Sequence, residues 1–478
     1  MGQEVSNTSF SDNEAKRFKQ KLIEETKLLQ TWFKEKHFSD QEKKCGLELE
    51  AWMVDRDFVP APISDQFISL LQNPLVVPEL SKFNFELNTL PCAFGDNVFS
   101  SLERQLKKIW KGCEAQAAAM DAKALIIGTL PVLRDHMLCS SNISPQKRYK
   151  ALNDQIMKLR NFEPIQININ GRDQVKLKND NLFTECAATS LQIHYGVDQE
   201  RAHHYYNASI IASAFMGAAC ANSPYFYGKE VWDESRVAIF EQSVNVTSFR
   251  NKFGELATRV GLGNGYVGDN LFEIFIENLN GYPILLPEVC EEARPEELRH
   301  LRLQNGTIWR WNRPLIGFDK EGKPNLRLEF RVPSAGPTIR DSIANTTLQI
   351  ALVEYLASID GLTEKIPFQR AVSNFYECCR NGLQGEVYWV DGKRYNVREL
   401  LLDQILPQLP KALINVGIQE SEIQKYLHKV ILKRVKKGQT GAKWQKAFVH
   451  SYGYRFQNML EVYHQYQIQN KPVHLWKV

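Results

Sequence analysis

A nine-residue stretch near the N-terminus runs Gly46-Leu47-Glu48-Leu49-Glu50-Ala51-Trp52-Met53-Val54. Successive side chains of a β-strand point to opposite faces, so most of the apolar residues in this stretch share one face. Glu48 and Glu50 project from the other face, about 6–7 Å apart along the strand. The alternation therefore predicts a strand that presents two carboxylates side by side.

Three further segments alternate in the same way: Phe83 to Asn88, Leu191 to Tyr195, and Leu326 to Val332. An antiparallel sheet with one face in water explains such alternation in any single strand. Together, however, the polar faces of the four strands carry four Glu, one His and two Arg. Like charges brought so close require compensation, and bound divalent cations are the simplest source of it.

The types of residue on these faces indicate which metal they would bind. Carboxylate oxygens with one imidazole and no thiolate favour Mg²⁺, with Mn²⁺ as an alternative, over Zn²⁺ or an iron–sulfur cluster. Magnesium commonly binds substrate phosphates as well, which points to nucleotide chemistry. The sequence has no P-loop, because the glycine-rich segment at 261–265 lacks the required spacing and lysine.

Composition excludes several classes of protein. The chain has 478 residues, 59 Lys and Arg against 55 Asp and Glu, and 43% hydrophobic residues, which is typical of globular proteins. Because both charge signs are interspersed, a nucleic-acid partner is not expected. The nine cysteines lack zinc-site spacing, and no apolar stretch reaches the ~20 residues of a membrane span. We therefore expect reduced thiols and a cytoplasmic location.

Helical periodicity accounts for much of the remaining chain. Residues 1–12 are expected to form a flexible N-terminal arm, and Ser11 with Glu14 forms a capping box that opens a helix to about Phe38. Further helices are predicted at 97–122, 200–221, 339–359, 367–381 and 397–415, with two or three more between 417 and 470. Irregular stretches separate the strands, which favours an α+β architecture over a doubly wound sheet.

Ten short motifs, in register across about residues 43–385, together resemble the type 2 glutamate–cysteine ligases. This family, also called the carboxylate–amine ligases, lies within the glutamine synthetase-like superfamily. The motifs are Gly46-Leu47-Glu48-Leu49-Glu50, Glu79 with Phe85-Glu86-Leu87-Asn88-Thr89, Gly128-Thr129-Leu130-Pro131, Arg148-Tyr149, Leu191-Gln192-Ile193-His194-Tyr195-Gly196, Ala221-Asn222-Ser223-Pro224, Ser235-Arg236, Trp309 to Pro314, Leu328-Glu329-Phe330-Arg331 and Arg380-Asn381-Gly382-Leu383.

The resemblance implies a fold. Residues 13–390 are expected to form a glutamine synthetase-like domain whose curved antiparallel sheet makes a funnel flanked by helices. ATP would enter one end of the funnel, Mg²⁺ would lie at its waist, and amino-acid substrates would occupy the other end. Residues 391–478 are expected to form a helical C-terminal extension packed on this domain, without a clear family counterpart.

The resemblance also implies roles for individual residues. Arg331 and Arg313 are similar to the arginines that hold the transferred phosphate of ATP, and Arg236 is similar to a substrate-carboxylate contact. The matching metal ligands are Glu48, Glu50, Glu79, Glu86, His194 and Glu329.

Two positions depart from the family pattern. Gln192 stands where the family usually has a first histidine in Gly-x-His-x-His-x-Gly, and Leu130 replaces the histidine of Gly-Thr-His-Pro. Both positions are expected to lie near the substrates rather than among the principal metal ligands. ATP binding would then persist while the identity of the substrate shifts.

The resemblance implies an ATP-dependent carboxylate–amine ligase that forms an amide through an acyl phosphate, most simply between the γ-carboxylate of glutamate and cysteine. Two alternatives stay open: phosphotransfer to a guanidino compound on the same architecture, and a pseudoenzyme that uses the funnel for binding only. The expected partners are small-molecule amino-acid substrates with an amine acceptor, and a homo-oligomer is left open.

Overall fold

The computed structural model describes residues 4–39, 43–246 and 258–478. Its strands, numbered in chain order, are β1 Lys44–Val54, β2 Val76–Pro78, β3 Asn84–Asn88, β4 Cys92–Ala93, β5 Lys123–Leu125, β6 Ile165–Asn170, β7 Gln174–Asn179, β8 Leu191–Val197, β9 Tyr225–Phe226, β10 Lys229–Glu230, β11 Val260–Gly261, β12 Trp309–Arg310, β13 Asn312–Phe318, β14 Pro324–Phe330, β15 Glu386–Tyr388 and β16 Arg394–Asn396.

The α-helices lie between these strands along the chain and pack around them in the fold. They are α1 Asp12–Lys34, α2 Ser64–Leu71, α3 Val98–Ala119, α4 Lys147–Leu159, α5 Ala202–Ala219, α6 Ser235–Ser243, α7 Phe272–Gly281, α8 Arg299–Gly306, α9 Ile339–Leu356, α10 Leu362–Lys365, α11 Phe368–Asn381, α12 Val397–Leu400, α13 Leu409–Asn415, α14 Glu420–Glu422, α15 Lys433–Lys437, α16 Gly441–Tyr452 and α17 Phe456–Ile468. Two π-helical segments, Leu401–Ile405 and Ile423–Leu432, continue α12 and α14.

One eight-stranded sheet organises the molecule. Strands β13, β14, β8, β1, β3 and β2 lie side by side in that order, while β4 and β5 also pair with β1. All of these pairings are antiparallel. The combination of this large antiparallel sheet with many helices confirms the predicted α+β class.

The register of the sheet brings the polar residues of four strands together. Glu50 lies opposite Glu86 across β1 and β3, and His194 lies opposite Glu329 across β8 and β14. Directly opposed residues of an antiparallel pair share a face of the sheet. The predicted polar faces therefore form one continuous surface.

Helices cover the sheet and form the core. Almost every side chain of α5 and α9 is buried, including polar ones such as Asp341 and Asn345 of α9. The helix predicted at 200–221 is therefore confirmed as α5. Among the described residues, no helix is both long and apolar enough to cross a membrane. All nine cysteines are free thiols, in agreement with the sequence-based expectation.

The predicted helix boundaries agree with the structure to within a few residues, with one clear exception. The capping box is present, because Ser11 N–H donates to Glu14 at 2.7 Å and Glu14 N–H donates to the Ser11 hydroxyl at 3.2 Å. The single helix predicted at 397–415 is wrong, since the chain breaks into α12, a π-helical segment and α13. Pro407 and Pro410 explain the break, because proline lacks the N–H that a helix interior needs.

The two ends of the chain contact the main body. In the described part of the N-terminal arm, Val5 is buried at 3% exposure and Ser6 O accepts a hydrogen bond from Lys147. Near the C-terminus, Gln467 Nε2 donates to Ile126 O at 2.8 Å. The flexibility of the arm and the domain division at residue 390 stay predictions.

Candidate active site

A cavity of about 270 Å³ opens on the polar face of the sheet. We call it the first cavity, and its wall contains all six predicted metal ligands together with Arg313 and Arg331. The six ligands form two groups, and within each group the ligand atoms lie within 4.8 Å of one another. The first group is Glu48, His194 and Glu329, and the second group is Glu50, Glu79 and Glu86.

Basic residues compensate the negative charge of the glutamates in the first group. His194 Nε2 lies 3.0 Å from Glu48, and Arg313 binds Glu329 with both arms of its guanidinium at 2.8 and 3.1 Å. Arg331 approaches Glu329 to 3.3 Å. Burial by itself would raise the pKa of Glu329, but Arg313 and Arg331 outweigh it and hold this pKa at about 2. The Glu329 carboxylate is therefore ionised at neutral pH.

Among the described residues, no comparable set of basic side chains compensates the negative charge of the second group. Burial, with Glu79 as the next cause, raises the pKa of Glu50 to about 7. Burial and the nearby Glu48 raise the pKa of Glu86 well above its ordinary value. Three carboxylates without a paired cation are the donor set that a hard divalent cation requires. The residues of this group therefore fit Mg²⁺ or Mn²⁺.

The raised pKa of Glu50 predicts how stability depends on pH when a chelator removes divalent cations. A carboxyl group that is easier to protonate in the folded state adds stability fully below its unfolded pKa of about 4.5. This stability is lost as the pH rises through about 7. We therefore expect a lower unfolding temperature at pH 8 than at pH 5.5, and a larger stabilising effect of Mg²⁺ at pH 8.

Thermal unfolding at both pH values, with chelator and with Mg²⁺, measures this effect. The Glu50→Gln variant is the control, because an amide does not titrate, and its unfolding temperature should change less between the two pH values. An equal pH effect in the native protein and in Glu50→Gln would contradict the prediction.

Gln192 lies between the candidate ligands and the candidate phosphate-binding arginines. Its Nε2 donates to Glu50 at 2.9 Å, and its Oε1 accepts a hydrogen bond from Arg331. The expectation that this position lies away from the principal ligands is therefore wrong. Leu130, the other departure from the family pattern, is buried at 1% exposure and is absent from the cavity wall.

Arg236 does not line the first cavity, although the sequence predicts a substrate contact for it. It is buried at 2% exposure, and its guanidinium donates to Arg331 O at 2.9 Å and to Glu234 at 3.2 Å. Arg236 thus supports the backbone that carries Arg331. This geometry does not support the predicted contact with a substrate carboxylate.

Four charged residues of the cavity wall received no role from the sequence: Arg148, Glu185, Arg302 and Arg327. Arg327 donates from Nε to His194 Nδ1 at 3.3 Å. The sequence could have indicated its place in the site, because Arg327 lies two residues before Glu329 on β14 and so shares its face. Glu185 lies in a short 3₁₀ turn, Phe183–Ala187, where no periodicity marks it. Only the folded chain brings Glu185 to the cavity.

A second cavity of about 370 Å³ adjoins the first. The two share Glu48, His194 and Arg327 in their walls, so both open onto the first group. The wall of the second cavity combines apolar residues, among them Val197, Phe318 and Leu326, with a larger number of polar and charged ones. The first group therefore stands at the junction of two cavities.

A family model described as glutamate-cysteine ligase family 2 matches residues 44–461. The chain belongs to this family. As a family 2 member it is a glutamate–cysteine ligase-like, ATP-dependent carboxylate–amine ligase, which confirms the enzyme class predicted from the sequence. Because the match continues far beyond residue 390, the expectation that the C-terminal segment lacks a family counterpart is wrong.

Two solved structures show the same fold. Glutamate–cysteine ligase from Francisella tularensis, in complex with AMP, has a TM-score of 0.54 at 10% identity, covering 91% of this chain and 90% of that one. A bifunctional glutathione synthetase from Pasteurella multocida has a TM-score of 0.54 at 11% identity, covering 90% of this chain and 53% of that one. This family 2 chain thus spans about half of the bifunctional protein. None of the curated proteins matches it.

Proposed function

We propose that this protein joins the γ-carboxylate of glutamate to the amino group of an acceptor, most simply cysteine, through an acyl phosphate formed with ATP. The observation that supports the proposal is the convergence of two metal-ligand groups and two arginines on one cavity. A carboxylate is a poor electrophile. Its phosphorylation provides a leaving group that an amine can displace.

The six residues of the first and second groups would hold Mg²⁺. When bound, Mg²⁺ neutralises phosphate charge and orients the phosphoryl group for transfer. Arg313 and Arg331 already lie beside Glu329, where they add positive charge next to the ligands. In the proposed reaction these two guanidiniums stabilise the charge on the transferring phosphoryl group, which is a positioning and electrostatic task.

We assign the two substrates to different cavities. The second cavity combines apolar residues such as Phe318 with basic residues such as Lys43 and Lys44, so the nucleoside of ATP is assigned there. The first cavity holds the acidic second group and Arg331, so the amino acids are assigned there. Phosphoryl transfer would then occur at the first group, where the cavities meet.

ADP release and product mass test the proposal together. The purified protein is supplied with Mg²⁺–ATP, L-glutamate and each amine of a panel that includes L-cysteine. We expect ADP and an amide to form in equal amounts, and only when glutamate and one amine are both present. Reactions without glutamate and without amine are the controls.

Other outcomes would overturn the proposal. A phosphorylated guanidino compound without an amide would identify a phosphotransferase. Failure to bind Mg²⁺–ATP at all would identify a pseudoenzyme. ADP release that does not depend on glutamate would exclude glutamate as the carboxylate donor.

A further inference from the structure

Glu185 is an acidic residue of the first cavity that the proposed reaction has not used. It lies in the 3₁₀ turn Phe183–Ala187, immediately before β8, and its side chain faces the first cavity. It belongs to neither metal-ligand group. In the described ranges 4–39, 43–246 and 258–478, no hydrogen bond or ion pair engages its carboxylate.

The surroundings of Glu185 favour a cationic ligand. Burial, followed by repulsion from Glu79 and Glu50, raises the pKa of Glu185 to about 8, while Arg331 and Arg236 act in the opposite direction. An enclosed carboxylate is unfavourable unless a positive or hydrogen-bonding group satisfies it. A ligand that brings a positive charge to Glu185 would therefore gain more binding energy than a neutral one.

The same part of the wall is otherwise mainly apolar. Leu152 and Leu182 line the first cavity together with Tyr149, whose ring packs against the Arg148 guanidinium at 4.5 Å. Apolar walls beside an acidic group that has no partner suit a small molecule that combines hydrocarbon with one positive charge at a defined position. The α-amino group of a free amino acid is cationic at neutral pH.

We propose that Glu185 binds the ammonium group of the incoming acceptor amine, which releases one proton to water before its nitrogen attacks the acyl phosphate, and thereby determines that the acceptor is a cationic amine with a short apolar side chain. This inference rests on the proposed function, since it names the contact for the second substrate of that reaction. Glu185 is then a substrate-binding residue, separate from the residues that hold the metal and the phosphates. It discriminates against neutral analogues in which the amino group is absent.

Steady-state kinetics of the Glu185→Gln variant test the inference. Charge-assisted hydrogen bonds are strong, so we expect the KM for the best amine of the panel, L-cysteine in the simplest case, to rise by about tenfold to a hundredfold. The KM values for ATP and glutamate should stay within about twofold, since other residues bind these substrates. Glu185→Asp keeps the charge and should recover part of the loss. Glu163→Gln, at an exposed position, is the matched control.

Inhibition supplies a second readout. 3-Mercaptopropionate is cysteine without its α-amino group, and it should inhibit the native protein weakly but the Glu185→Gln variant about equally. Circular dichroism of each variant establishes that it is folded. An unchanged acceptor KM in folded Glu185→Gln would overturn the inference. So would an increased Mg²⁺ requirement with an unchanged acceptor KM, because Glu185 would then be a metal ligand. If the native protein forms no amide with any amine, the proposed function itself has failed.

Discussion

The Glu48→Gln variant is expected to lose at least about a hundredfold in ATP-dependent turnover, equivalent to about 2.7 kcal/mol in the activation barrier, while remaining folded. Glu48 lines both cavities and lies 3.0 Å from His194 in the first group. Glutamine has nearly the same size, so the substitution removes a charge without opening a void. We expect a large loss of turnover because Glu48 lies at the junction of the cavities, to which we assign phosphoryl transfer.

ADP release and thermal unfolding, measured on the same preparation, check this expectation. Burial would raise the pKa of Glu48, but His194 outweighs it and keeps the pKa well below the ordinary value. The carboxylate therefore contributes to the folded state, and a small decrease in unfolding temperature is expected. Glu163→Gln, which is exposed, should behave as the native protein. Near-native turnover of Glu48→Gln would contradict the assignment of the first group.

The largest effect on stability is expected from Arg434→Ala, which should lower the free energy of unfolding by about 3–5 kcal/mol. Arg434 in α15 is buried at 1% exposure. It donates to Asp341 at 2.9 Å and to Asn345 at 2.6 Å, both on α9, and to Ala219 O at 3.1 Å. Removal of the guanidinium would leave the buried Asp341 carboxylate without its ion-pair partner, which is strongly unfavourable.

Urea unfolding of the native protein and two variants measures the effect. The neighbouring Lys433→Ala is the matched control, because Lys433 is exposed on the same helix and substitution there should change stability by less than about 0.5 kcal/mol. Asp341 also accepts hydrogen bonds from Val473 N at 3.1 and 3.3 Å, so the network fastens the C-terminal residues to α9. Equal unfolding midpoints for the two variants would contradict a stabilising role of this ion pair.

Alternation along single strands was enough to place most of the candidate site. Glu48, Glu50, Glu86 and Glu329 were found in this way because side-chain direction in a strand follows a period of two. Glu79 follows β2 outside any alternating run, so only the family resemblance indicated it. Glu185 lies in a 3₁₀ turn, where neither periodicity nor the resemblance marked it.

The predictions for Arg236 and Gln192 failed for a different reason. The sequence motif identifies each position but gives no information about the residues that surround it in the fold. The role of each depends on hydrogen bonds to segments about 95 to 140 residues away in the sequence. Arg236 binds the backbone at Arg331, and Gln192 connects Glu50 to Arg331. Local pattern carries no information about such distant partners, since they meet only after the sheet has assembled.

The sequence by itself determined the α+β class, the polar faces of the four strands and the preference of their side chains for a hard divalent cation. These properties depend on residue type and local periodicity. The tertiary structure decided the strand order and register, which place Glu50 opposite Glu86 and Glu329 opposite His194. Register between strands distant in sequence is set by burial of the shared apolar face and by helices such as α5 and α9 packed on it. That packing divides the six carboxylate and imidazole ligands into two groups and places both arginines beside the first.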